Sequence, residues 1–190
     1  TLIMKNRLAW LLLASSLSCA PGVMAEKAVF AGGCFWCMES DFEKLGGVTD
    51  VISGFTGGTL KNPTYNGNHP GHYEAVEVSY DPGKVSYQEL LDHFWVNIDP
   101  FDARGQFCDK GPSYRTAIFV ANDVEKKLAE ESKSKIVAQF PGKEVVTPIL
   151  DASVFYPIHG DESYHQDYYK NNPIRYKYYR WNCGRDQRLK

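Results

Sequence analysis

The sequence predicts an α+β domain: a two-layer ferredoxin-like sandwich with an appended αβ unit and an irregular C-terminal tail. Three observations predict it. Short apolar runs and helical-period runs follow one another in the order β-α-β-β-α-β. A further helical run and a strand come after them. No repeat, linker or low-complexity stretch interrupts residues 27–190.

The elements follow in order. Val29 to Ala31 read as a short buried strand, stopped by Gly32-Gly33, and a helix is expected from about Cys34 to Leu45. A strand is expected over Val48 to Phe55, and residues 57–73, rich in Gly, Asn, Pro and His, form a long loop of the kind that often carries function. Ala75 to Tyr80 alternate as a strand does. Ser86 and Glu89 make a capping box, Val85 and Leu90 a hydrophobic staple, and Leu90, Leu91, Phe94 and Trp95 the buried face of the helix they open. A second long loop, 98–113, leads to a strand over Tyr114 to Val120. The appended helix shows Val124, Leu128, Ile136 and Phe140 on one side, and its strand lies near Val145 to Leu150. Beyond Pro157 come a short helix around Tyr164 and a polar, Tyr-rich tail.

Composition narrows the partners. With 43% hydrophobic and 23% charged residues the chain has enough apolar surface to fold. A net charge of -2 gives no basis for binding nucleic acid or an anionic membrane. The many Tyr and Phe fit either an aromatic core or an aromatic-lined pocket.

Residues 1–25 read as a signal peptide, with 1–3 as an upstream remnant ahead of Met4. Lys5 and Arg7 precede the apolar run Leu8 to Leu17, and Val23-Met24-Ala25 resembles a small-x-small cleavage site. Residues 26–190 are then one catalytic domain, exported to a periplasm-like compartment. Secretion is one alternative, and lipid anchoring through Cys19 another. Removal of the leader leaves Cys34, Cys37, Cys108 and Cys183, an even number that in an oxidising compartment suits two structural disulfides.

Cys34 opens a helix, where unpaired N–H groups and the positive dipole end favour thiolate, the attacking species. Cys37 lies one turn on. The pair fits redox chemistry, zinc or a structural bridge. Zinc would need His69 and His72 as the remaining ligands, at a spacing shorter than zinc sites use; no metal and no cofactor are expected. A general disulfide exchanger would share the CxxC motif, but Phe35 and Trp36 put a bulky apolar wall between its cysteines. Glu74 shares strand parity with Val76, Val78 and Tyr80, so it points toward the buried face at the strand's mouth, where desolvation would keep it protonated. A thiolate and a protonated carboxyl are what reduction of a sulfoxide requires.

Gly33-Cys34-Phe35-Trp36-Cys37 resembles the signature of the A-type peptide methionine sulfoxide reductases. The similarity continues through Ser53-Gly54-Phe55-Thr56-Gly57-Gly58, Asn62-Pro63-Thr64-Tyr65 and Gly71-His72-Tyr73-Glu74. Asp109-Lys110-Gly111-Pro112-Ser113-Tyr114-Arg115 and Tyr164-His165-Gln166 extend it over roughly residues 27–185. The resemblance implies Cys34 as nucleophile and Glu74 as proton donor. It implies Tyr65 and Tyr114 on the sulfoxide oxygen, Asp109 in their network, and Phe35 and Trp36 around the substrate methyl. Methionine would leave with Cys34 as sulfenic acid, to be closed to a disulfide and reopened by a thioredoxin-like dithiol protein. Cys37, Cys183 and Cys108 are the candidates for the resolving thiol. Phe55 stands where tyrosine is commoner, and Ile158-His159-Gly160 look inserted.

Overall fold

The computed structural model describes residues 22–190; the expected leader lies outside these as far as residue 21, Cys19 included. In chain order the elements are β1 (Glu26–Gly32), α1 (Phe35–Glu43), β2 (Val48–Thr56), β3 (Tyr73–Tyr80), α2 (Tyr87–Val96), β4 (Gly105–Gln106) and β5 (Asp109–Lys110). They continue with β6 (Thr116–Val120), α3 (Asp123–Gln139), β7 (Ile149–Asp151), β8 (Tyr156–Pro157), α4 (Tyr168–Asn171), α5 (Pro173–Asn182) and α6 (Arg185–Arg188). Short 3₁₀ turns cover Pro112–Tyr114 and Gly160–His165.

Six strands form one sheet in the order β7-β6-β1-β3-β2-β8. Its centre, β6-β1-β3-β2, is antiparallel throughout and is the expected β-α-β-β-α-β sandwich. The appended unit adds β7 parallel to β6 through α3, the crossover a parallel pair requires. Strand parity sorts the faces. Phe30, Val76, Val78, Ile118 and Val120 meet α1 and α2, whereas Ala31, Tyr73, Ala75, Ala117 and Phe119 form a smaller cluster on the other side. Phe30 stacks at 5.0 Å on Phe42 and 5.2 Å on Phe94, so one ring ties both helices to β1. Cutting it to Ala would cost about 3–5 kcal/mol.

The capping box of α2 is formed: Ser86 Oγ accepts from Glu89 N–H at 3.1 Å and the Glu89 carboxylate accepts from Ser86 N–H at 2.7 Å. Two expectations need correction. Val124 is 70% exposed and Phe140 is exposed too, so the buried face of α3 is Ala129 and Ser132, flanked by Leu128 and Ile136. Small residues sit there because Trp95 fills the space, its indole N–H donating to Ser132 Oγ at 2.9 Å. The tail is not irregular. It folds as α4, α5 and α6, with Pro173 opening α5 and Gly184, at φ 72°, turning the chain into α6. What it buries is largely polar, Arg180 and Arg185 on Asp41, so it left no apolar stripe to read.

The segment after the 3₁₀ turn is pinned across the sheet. Gln166 Oε1 accepts from Ser53 N–H at 2.8 Å and its Nε2 donates to Val51 C=O at 2.8 Å. The buried Glu39 carboxyl accepts from Ser53 Oγ and Asp167 N–H, both at 2.6 Å. These bonds hold His165 and Tyr168 over the start of α1.

Candidate active site at the start of helix α1

Gly32-Gly33 let β1 turn directly into α1. A Cβ at Gly32 would lie 2.3 Å from Met38 Sδ, and one at Gly33, where φ is 85°, would lie 2.6 Å from Gln106 Cβ. Cys34 is the N-cap of α1, its C=O accepting from Cys37 and Met38 N–H at 3.1 and 3.3 Å. No side chain of its own caps that end. Glu74 does so from β3: its Oε2 accepts from Phe35 N–H at 3.1 Å. Cys34 is 7% exposed, and Cys37 and Glu74 1% each.

Burial sets the ionisation. Desolvation pushes Glu74 up to about 8, against the Phe35 N–H bond that favours its charged form, so the carboxyl holds its proton at neutral pH. The thiols behave as one unit. Cys37 is drawn down to about 7 by a hydrogen bond from the Cys34 thiol, against burial, and then by Arg185 and Arg180. Cys34 is pushed well above its usual value by burial, by that same bond and by the charges of Cys37, Glu74 and Asp109. The expected low value for Cys34 alone is therefore not what the structure holds. The pair carries one shared negative charge near neutrality and keeps its second proton tightly.

Aromatic rings close the site. Phe35 is buried against Phe55 and Tyr65, each 5.9 Å away. Trp36 stacks on Tyr168 at 3.8 Å, meets Tyr179 edge-on at 5.6 Å and donates its indole N–H to His165 Nδ1 at 3.0 Å. Tyr65 lies 3.9 Å from the His165 ring, and its backbone N–H is held by Glu162 at 2.7 Å. Burial raises the phenols of Tyr65 and Tyr114, Tyr65 to about 12, and the nearby Glu74 charge adds to this, so both remain O–H donors. Asp109, on β5, accepts a short bond from Tyr179 O–H and is raised by burial while facing Cys34.

Eight of the residues expected from sequence, Cys34, Cys37, Glu74, Tyr65, Tyr114, Asp109, Phe35 and Trp36, thus converge on one place. Cys108 and Cys183 do not join them as free thiols. They are bonded to each other, Cα–Cα 4.8 Å, and clasp the β4-β5 turn to the end of α5. His72 is held by Gly58 N–H at 3.2 Å and Leu60 C=O at 2.8 Å, and His69 Nδ1 lies 2.9 Å from Thr64 C=O, so both rings serve the 57–73 loop. Sequence reasoning gave no role to His165, Tyr168, Tyr179, Glu162, Arg180 or Arg185. The Tyr-rich tail was the available signal for the aromatics; the arginines left none.

A buried dithiol beside a neutral carboxyl and two phenols, walled by aromatic rings, defines a thiol-dependent reductase. The model of the family described as peptide methionine sulfoxide reductase matches residues 26–190. Peptide methionine sulfoxide reductase MsrA 2 of Caulobacter vibrioides is 50% identical over 177 residues, 90% of this chain and 88% of that protein. The MsrA of Bacillus licheniformis is 51% identical over 170 residues, covering 86% and 92%. Among solved structures, reduced Mxr1 from Saccharomyces cerevisiae superposes with a TM-score of 0.73 at 27% identity, covering 81% of this chain and 89% of that one. Methionine sulfoxide reductase A of Corynebacterium diphtheriae gives 0.68 at 31% identity, covering 79% and 76%. The chain belongs to the peptide methionine sulfoxide reductase family, A type, and is a peptide-methionine (S)-S-oxide reductase that works through cysteine thiols.

Proposed function

We propose that Cys34 attacks the sulfoxide sulfur of oxidised methionine, free or in proteins, and that Glu74 supplies the proton the oxygen needs. The observation that carries this reading is the Glu74 carboxyl, 1% exposed and held at the N–H of the residue after Cys34. As the substrate sulfur arrives, the charge shared by the thiols is drawn to Cys34 at the helix N-terminus and Cys37 takes the shared proton. The Cys34 sulfur bonds to the substrate sulfur, and the oxygen, protonated by Glu74 and hydrogen-bonded by Tyr65 and Tyr114, passes to Cys34. Methionine leaves reduced, and Cys34 remains as sulfenic acid. Phe35 and Trp36 pack the methyl group, and Asp109 orients the polar side through Tyr179.

Cys37 is the resolving thiol. It lies one helical turn from Cys34, while Cys108 and Cys183 are already joined. A thioredoxin-like dithiol protein then reopens Cys34–Cys37, and the cycle serves repair of oxidised proteins. The exposed Cys108–Cys183 bridge suits an oxidising compartment, which supports export behind the leader at residues 1–25 and a periplasmic site of action. Cys34→Ser tests the reading directly. It should release no methionine from sulfoxide; release at the wild-type rate refutes it. Cys37→Ser should release one methionine per chain and stop as a sulfenic acid that dimedone traps. A Cys34 disulfide formed at the wild-type rate in that variant removes Cys37 from the role.

A further inference from the structure

A buried charge cluster behind the thiol pair has no part in the substrate pocket. Arg185 is 1% exposed. Its Nη2 donates to Asn97 C=O at 2.7 Å and Gly32 C=O at 3.2 Å, and lies 3.3 Å from Met38 Sδ. Gly32 precedes the two cysteines and Met38 follows them, so the guanidinium rests against the back of the Cys34–Cys37 turn. Asp41 is the carboxylate beside it, but Asp41 already accepts from Arg180 Nη1 at 2.9 and 3.1 Å. Arg185 Nε is 3.9 Å from Asp41 and makes no hydrogen bond. Asp186 pairs with Arg180 from the exposed side. Two guanidiniums thus share one buried carboxylate, and a buried charge needs a partner.

We propose that Arg185 is a positioning residue for the second half of the reaction: it is the counter-ion of the Cys37 sulfur as that sulfur attacks the Cys34 sulfenic acid, and the Cys108–Cys183 bridge anchors it there. The inference rests on Cys37 being the resolving thiol. In the step, the S–S bond forms and the S–O bond breaks; Cys37 is oxidised, Cys34 is reduced, and the hydroxide leaves as water with the proton Cys37 gave up. Arg185 is delivered by Cys183 and Gly184, the latter turning at φ 72°. Its guanidinium also lies 4.6 Å over the Phe107 ring, at the turn whose next residue is Cys108. The bridge therefore fixes both the end of α5 before Arg185 and the ring beneath it.

The groups facing Cys37 are Cys34 and Asp41 on the same helix segment, Glu74 on β3, Tyr176, Tyr179 and Arg180 on α5, and Arg185 on α6. Of the two cations that draw Cys37 toward 7, Arg185 acts more strongly than Arg180.

The test is rapid-quench single turnover on the full chain with methionine sulfoxide. Methionine release reads the first half, and loss of the second thiol reads resolution. In Arg185→Met, release should keep at least its wild-type rate. Resolution at pH 7 should slow by about fivefold, with its pH midpoint about one unit higher. Arg185→Lys should restore most of the rate, and the Cys108→Ser/Cys183→Ser double variant, Arg185 intact, should slow resolution without slowing release. Resolution in Arg185→Met at the wild-type rate and midpoint overturns the proposal, as does an equal fall in both halves, which marks general damage. Unchanged resolution in the double variant removes the bridge as anchor. Should Arg185→Met fail to fold, a rate in Arg185→Lys with an unmoved midpoint and unmoved resolution in the double variant together overturn it. The reading of Cys37 itself is tested apart, by Cys37→Ser.

Discussion

Glu74→Gln separates the chemical work of this carboxyl from its structural cost. The amide oxygen can still accept from Phe35 N–H, so the cap on α1 survives while the acidic proton is lost. Reduction should slow by about 10²–10⁴-fold at pH 7, the usual worth of a positioned acid. Stability should move the other way. Below pH 4.5 the carboxyl is protonated in folded and unfolded chains alike and contributes no difference. As pH rises from 4.5 to about 8, the unfolded chain sheds the proton and the folded one retains it, so unfolding becomes progressively easier. Above about 8 both are ionised and the penalty is complete, about 5 kcal/mol at its ceiling. Part of that is returned in the variant, because the Gln N–H₂ group needs a buried acceptor, at about 1–3 kcal/mol. The net expectation is a variant about 2–4 kcal/mol more stable than wild type at pH 8, with the difference reversing toward pH 4.5, where the variant is about 1–3 kcal/mol less stable. Urea denaturation of both proteins across pH 4–9, with single-turnover rates at pH 7, measures the two effects. A stability difference that does not change with pH would show that Glu74 ionises freely, and the acid role would fall with it.

Three further outcomes are expected. The two half-reactions should part above neutrality: methionine release, which needs both the charge the thiol pair gains through about 7 and the Glu74 proton lost through about 8, is bell-shaped, while resolution rises as Cys37 loses its proton and does not fall again through 8; matching profiles in rapid-quench data would contradict the division of labour. Gly33→Ala, at φ 85° and 2.6 Å from Gln106 Cβ, should cost about 2 kcal/mol or more in thermal unfolding and shift Cys34 enough to reduce kcat; an unchanged Tm would argue against the tight turn. Chiral chromatography of a racemic methionine sulfoxide digest should show the S epimer consumed and the R epimer left, since the phenols and the methyl wall fix the sulfur from two sides; equal loss of both would exclude that pocket.

How far the sequence could be read depended on what each residue buries. Apolar periodicity located the sandwich because Phe30, Val76, Leu90, Phe94 and Ile118 all lie on the face their spacing indicated. The same parity put Glu74 on the inner face, as a polar exception at the end of an apolar row. Where the buried groups are themselves polar, periodicity has nothing to detect. Ser132 under Trp95, Glu39 under Ser53 and Gln166 along β2 are each satisfied by a partner distant in sequence. A charged or amide side chain read alone is assigned to solvent. For that reason the tail was expected to be irregular, although Arg180 and Arg185 bring α5 and α6 onto Asp41. The ionisation of the thiols was hidden for the same reason. A helix N-terminus speaks for thiolate at Cys34, but burial, Glu74 and Asp109 oppose it, and the two arginines favour charge on Cys37 instead. Motif spacing could bring the two cysteines together. The charge on Cys37 at rest owes most to the Cys34 hydrogen bond and, after it, to Arg185 and Arg180, 148 and 143 positions further along the chain. A site whose nucleophile and acid are contributed by the first half of the chain thus has its electrostatics completed by the last fifteen residues.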